Sequence, residues 1–336
     1  NMWLVILEKE LLFIPNTNLY SYRNLQELEK EVFTKIISNE ETIWVSTQSG
    51  KIFEFNHNTF KLIYNQNNTK ISLLKLNQEN NQLIFNGSMT QCFFNLNDKK
   101  VKSTTQFGSV KDVAFINDTL VVFATNTGIK FYNTYLNKVV SGNFILPENI
   151  GRTSSICFQK DEQKLWVNTL KGLMILSKEN APIIFDNIYS TDIINDGNSV
   201  WVATKDNGIY EFNNHKIAQH LTTETHLISD VIYKLKIVNN ELFIAHEKGL
   251  QVVNLKTKET INYDKTDGLF INRITDFTVK NNVIWLITNK GIQFFNRKDI
   301  RKNLLAPNII LDKVLVNNNP NSTISNQIHE FNFDEN

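Results

Sequence analysis

The chain has 336 residues, 41% of them hydrophobic, enough to bury a sizeable core in one or two domains. Lysine plus arginine, 35, nearly balances aspartate plus glutamate, 34, so no net field favours nucleic acid or an anionic membrane as the main partner. No run approaches the roughly 18 apolar residues of a membrane span, and the apolar start, residues 2 to 7, is too short for a complete signal peptide.

From Trp3 onward the chain repeats one unit. Trp3, Trp44, Ile84, Val122, Trp166, Trp201, Phe243 and Trp285 occupy the same slot of a short apolar run, 35 to 44 residues apart, and they include every tryptophan of the chain. A period near 40 is that of four-stranded propeller blades. The run around each slot predicts a strand, B. A threonine follows it in most copies (Thr47, Thr125, Thr169, Thr204, Thr288), with His246 in its place once. Then comes a glycine (Gly50, Gly128, Gly172, Gly208, Gly249, Gly291) and a second apolar run, strand C. The glycine marks a tight hairpin needing positive φ, and the threonine hydroxyl is placed to bond nearby backbone. The unit at 83–95 lacks both residues.

Before each slot runs a β-branched or aromatic stretch of period-two character, strand A, at 32–37, 71–76, 110–116, 155–158, 191–194, 231–237 and 274–279. A less regular strand D leads to the next A, and residues 22–30 alone have helical character. Such units cannot bury both faces alone, but radial packing buries them and leaves only short protected edges. The expected fold is all-β: a propeller of four-stranded antiparallel blades, the tryptophans packing between them. Eight units are counted. Because the first lacks a strand A, seven blades is the alternative. The repeat covers residues 1–303. At 304–336, after Ala306-Pro307, a fresh strand over 309–316 begins a further domain or linker.

Chemistry has few candidates. Cys92 and Cys157 lie on strands of different repeats without metal or disulfide spacing, and read as buried apolar residues. His215, His220 and His226 are spaced so that three side chains do not share a face, which argues against a metal site. No nucleophile elbow, phosphate loop or zinc-protease motif occurs, so no catalytic residue, metal or cofactor is assigned. Propeller geometry instead gathers the loops entering each strand A around the channel. They carry Ser109, Lys111, Thr191 and Ser229, and the chosen ligand-binding candidates Arg152, Ser154, Asp192, Asp230, Asn272 and Arg273. Arginine is scarce in this chain, and its fork suits carboxylate or sulfate.

The unit resembles the two-component regulator propeller repeat of bacterial histidine kinase sensor regions, hybrid kinases included. D-G-L-F-I-N-R-I at 267–274, followed by I-W-L-I-T-N-K-G-I at 284–292, matches that repeat almost position for position, over an array spanning residues 1 to about 300. A-P-N-I-I-L-D-K-V-L-V-N-N at 306–318 is similar to the start of the triple-tyrosine immunoglobulin-like domain that follows such propellers. The resemblance implies a periplasmic sensor fragment of an inner-membrane protein, attached to the membrane through segments downstream. It implies an extracellular small molecule or oligosaccharide as ligand, and a homodimer formed through the following domain. Several units lack the D-G-L loop, so ligand contacts do not transfer. Two other readings stand beside the sensor: a protein-interaction scaffold without a small ligand, and a propeller hydrolase or lyase.

Overall fold

The period-two runs fold into strands that pair as seven four-stranded antiparallel sheets, the blades of a propeller. A computed structural model describes residues 2–5, 11–14, 16–22, 28, 31–56, 58–87, 89–270, 273–300, 314–316 and 319–321. Blade 1 runs through Phe33–Ser38, Ile43–Thr47, Lys51–Asn56 and Thr59–Asn65, its strands A to D. Blades 2 to 6 repeat this meander, with strands A at Leu74–Asn77, Val110–Phe115, Thr153–Gln159, Ser190–Asn195 and Ile232–Val238.

Blade 7 is assembled from both ends of this array. Ile274–Lys280, Val283–Thr288 and Gly291–Asn296 form its strands A to C. Its outermost strand is Tyr20–Tyr22, with Tyr20 opposite Phe294 and Tyr22 opposite Ile292. Tyr22, expected in a helical connector, is therefore in a strand; the rest of that stretch, apart from Leu28, lies outside the described residues.

Of the two counts, seven blades matches. Among the described residues the unit at Trp3 forms a two-stranded hairpin, Met2–Val5 with Leu11–Ile14, with no further strand paired on either side. The degenerate unit, by contrast, is a complete blade, with Leu83, Ile84 and Phe85 wholly buried. The chain divides into compact units at Asn1–Ile300 and Arg301–Asn336, the second containing a hairpin of Val314–Val316 with Asn319–Asn321.

The core lies between blades rather than within them. Seven apolar clusters fill seven interfaces: Trp44 packs against Leu83 and Phe85 of blade 2, Trp166 against Val200 and Phe212 of blade 5, and Trp285 against Val45 and Phe53 of blade 1. In five blades the B–C turn is tied by its threonine, as at Thr169, whose Oγ1 accepts the Lys171 amide at 3.0 Å and donates to the Gly172 carbonyl at 3.0 Å. Gly172 sits at φ +106°, and a Cβ there would lie 2.1 Å from the Phe185 carbonyl oxygen, so glycine is required twice over.

Candidate functional site

Strand A is the innermost of each blade. In six blades it begins with the same irregularity, a register shift near its start: Phe33/Lys35, Val110/Asp112, Thr153/Ile156, Ser190/Asp192, Ile232/Lys234 and Ile274/Asp276. A bulge takes a backbone amide out of the ladder and re-aims a side chain, so both consequences recur around the ring.

Three carboxylates accept strand A amides of the next blade. Asp112 Oδ2 accepts the Ile156 amide at 3.2 Å, Asp192 Oδ2 that of Leu235 at 2.9 Å, and Asp276 Oδ2 that of Ile36 at 3.1 Å. Blades 3, 5 and 7 are thereby fastened to blades 4, 6 and 1. Blade 2 uses its own Asn86, whose Oδ1 accepts the amides of Ser72 and Leu73. Two of the carboxylates also hold a lysine, Lys75 with Asp112 at 3.1 Å and Lys234 with Asp192 at 2.9 Å. Among the described residues no lysine or arginine reaches ion-pair distance of Asp276; its Oδ1 accepts the Phe277 amide at 3.0 Å.

These side chains wall a cavity of about 560 Å³ in the channel. Its charged residues are three carboxylates against six cations, Lys35, Lys75, Lys111, Lys234, Lys236 and Arg273. The excess of positive charge is local, since the chain as a whole is nearly neutral. At the mouth the Arg273 guanidinium lies over the Tyr233 ring, 4.5 Å from its centroid, a cation–π contact that orients the fork without neutralising it. Deeper, Lys236 Nζ donates to Thr278 Oγ1 at 2.7 Å, and Ser38 Oγ lies 2.7 Å from the same oxygen.

The charges shift one another. Burial by itself raises the Asp192 pKa, but Lys234, Lys75 and the Leu235 amide outweigh it and hold the group below the usual carboxylate range. Burial disfavours the charged form of Lys234 also, and Asp192, Asp276 and Asp112 overturn this, raising its pKa. Lys236 shows the opposite balance. Loss of water pulls it down to about 8, Lys234 and Lys75 add to the fall, and Asp276 and Asp192 offset it only in part.

Of the residues chosen from sequence, Ser154, Asp192 and Arg273 line this cavity, as do Lys111 and Thr191. Arg152 is exposed and outside its lining. Asp230 is occupied within its own loop, accepting from the Thr223 amide and hydroxyl at 2.9 and 2.8 Å. Ser229 donates to Glu247, and Asn272 lies outside the described residues. The histidines do not converge. His215 pairs with Glu162, while His220 meets the Asn207 carbonyl oxygen at 2.8 Å and stacks on Tyr210.

Sequence reasoning missed Lys35, Lys75, Asp112, Tyr233, Lys234, Lys236 and Asp276, because they lie inside strands read for their apolar pattern. A signal was available: Lys35, Asp192, Lys234 and Asp276 each stand nine residues before their tryptophan-slot residue.

No family model matches the chain. A search of curated proteins finds the histidine kinase P4 of Formosa agariphila, 26% identical over 326 residues. That similarity takes in 84% of this chain but 23% of the kinase, so the chain spans under a quarter of its relative's length. Among solved structures, the extracellular domain ascribed to a hybrid two-component system of B. thetaiotaomicron superposes with a TM-score of 0.72 at 18% identity, covering 94% of this chain and 45% of that one. A second extracellular domain from B. thetaiotaomicron, ascribed to a one-component system, gives 0.62 at 18% identity, with 82% and 40% covered. A designed protein, Ika8, gives 0.58 at 12% identity, with 80% and 97% covered. At these identities the likeness to solved structures is one of fold.

Proposed function

We propose that this chain is the ligand-sensing propeller of a two-component histidine kinase, working outside the cytoplasm, and that its ligand enters the channel at the Arg273 mouth. The observation that carries the reading is the channel itself: an open cavity with surplus cations, whose carboxylates Asp112 and Asp192 are each bound to a backbone amide and a lysine. Carboxylates so engaged suit positioning better than general acid–base work, which favours recognition over hydrolysis or elimination. Similarity to a histidine kinase over most of the chain supports the signalling role. A glycan-derived ligand and a periplasmic location of the sensor follow from the repeat resemblance, as does the start of an immunoglobulin-like domain at 304–336.

Calorimetric titration of the purified chain with oligosaccharide fractions tests the reading. A binding fraction should lose at least tenfold in affinity with Arg273→Ala while the melting temperature is kept. Unchanged affinity would reject the mouth as the site.

A protein-docking role is favoured by one observation. Met89, Leu170, Tyr189 and Ile228 are exposed in B–C turns or in segments leading to strand A, on the face where the channel mouth opens, and Leu170 is 72% accessible. Co-purification of a protein partner without any oligosaccharide binding would favour that role.

A further inference from the structure

Lys236 is placed unlike the other channel lysines. Lys75 and Lys234 each hold a carboxylate within 3.1 Å, whereas Lys236 has a hydroxyl, Thr278 Oγ1, as its hydrogen-bond acceptor. The carboxylate nearest it in the scheme of the ring, Asp276, spends its oxygens on the amides of Ile36 and Phe277. A half-buried ammonium with no carboxylate at ion-pair distance is costly, and its lowered pKa agrees with that cost.

Lys236 also lies where two spaces meet. It lines the channel cavity and equally a cavity of about 500 Å³ near the A–B turns, whose wall includes Ser38, Asn239, Lys280 and Asn282. Lys236 and the Ser38 hydroxyl both line this second cavity, joined through the buried Thr278 Oγ1, and Lys236 also borders the channel with its three surplus positive charges, so an ammonium and a hydroxyl donor face one space as an oxyanion needs.

We infer that the neck of the channel, at Lys236 and Ser38 with the buried Thr278 hydroxyl holding both from behind, binds the carboxylate or sulfate group of a ligand whose remainder occupies the channel toward Arg273. This rests on the channel being the ligand site, and narrows its occupant to an acidic molecule.

The experiment is a titration of the whole chain with sodium sulfate and, separately, sodium acetate, at constant ionic strength against chloride. Saturable binding of at least one is expected. Lys236→Met should weaken it tenfold or more, as should Lys236→Gln, which keeps a donor to Thr278 but no charge. Lys171→Met, which removes an exposed lysine that lines neither cavity, should leave it unchanged. Thermal melting confirms that the variants fold; with one neutral replacement unfolded, the other decides. No saturable binding of either salt, or equal affinity in Lys236→Gln, would overturn the inference. The broader reading fails separately: a neutral oligosaccharide bound through Arg273 would uphold the channel while refuting its anion selectivity, whereas sulfate held by Lys236 with no dependence of any oligosaccharide on Arg273 would uphold the neck alone.

Discussion

In five blades a threonine hydroxyl at the end of strand B accepts an amide of the following turn or of the start of strand C, at distances from 2.9 Å at Thr204 to 3.2 Å at Thr288. In blade 6 the acceptor is His246 Nδ1, 3.1 Å from the Lys248 amide, in a wholly buried ring. That contact fixes the tautomer, because Nδ1 accepts and the proton must sit on Nε2. Burial pushes the His246 pKa down to about 4, Lys248 adds to the fall, and Glu247 and Asp264 act against it. The unfolded chain takes up this proton near pH 6.5, so between pH 6.5 and 4 it binds more protons than the folded one and stability falls with acid. At about 1.4 kcal/mol per tenfold ratio of proton affinity, His246 alone removes about 2 kcal/mol between pH 7 and pH 5. His246→Thr restores the residue of the other blades and abolishes that term. Urea unfolding at the two pH values measures it: the wild type should lose about 2 kcal/mol more than the variant, whatever their difference at pH 7. Equal losses, or a ring that titrates near 6.5 by NMR, would refute the reasoning.

Asp276→Ala strands the Ile36 amide at the junction of blades 7 and 1, and should cost roughly 1.5–3 kcal/mol by urea unfolding, most of it recovered by Asp276→Asn, whose carbonyl still accepts. Gly172→Ala puts a Cβ against the Phe185 carbonyl at a positive φ and should lower stability by at least about 2 kcal/mol, whereas Gly108→Ala, where a Cβ would come no nearer than 3.8 Å to a flexible Met89 end, should cost clearly less. Tyr22 lies 5.1 to 5.2 Å from the Phe60 and Phe294 rings, so Tyr22→Ala should cost about 2–4 kcal/mol in thermal unfolding and expose blade 7 to an apolar dye.

Why the blades were legible and the site was not is a matter of which side chains repeat for the same reason. Trp44, Trp166, Trp201 and Trp285 recur because every interface between blades needs a large apolar side chain at that height, and a packing requirement repeated in every unit leaves a period. Trp3 satisfies the same local pattern without forming a blade, since pairing with strands A and D is decided by distant segments. The outermost strand of blade 7 escaped for that reason: Tyr20 and Tyr22 meet Phe294 and Ile292 across the whole ring. Arg273 was found because a loop ahead of strand A must open on the channel, and Ser154, read as part of such a loop, lies at the start of strand A along the same wall. Asp192 was chosen as a loop polar group, yet it acts as a clasp between blades, a role visible only once Leu235 lies beside it.

The parity of the ring explains where the positive charge collects. Carboxylate blades alternating with amide blades account for six blades in three pairs, and a seventh cannot join, so blade 2 caps its own amides with Asn86. Lys75, on that unmatched blade, reaches across to Asp112, and Lys234 takes Asp192. Two of the three carboxylates are thus neutralised, and Asp276 is left with amides alone while Lys236 is left with a hydroxyl. An anion at the neck completes what the ring's odd number leaves unpaired. It would do so where blades 6, 7 and 1 meet, beside the blade that Tyr20–Tyr22 closes, so that charge recognition and closure of the ring fall on the same sheet.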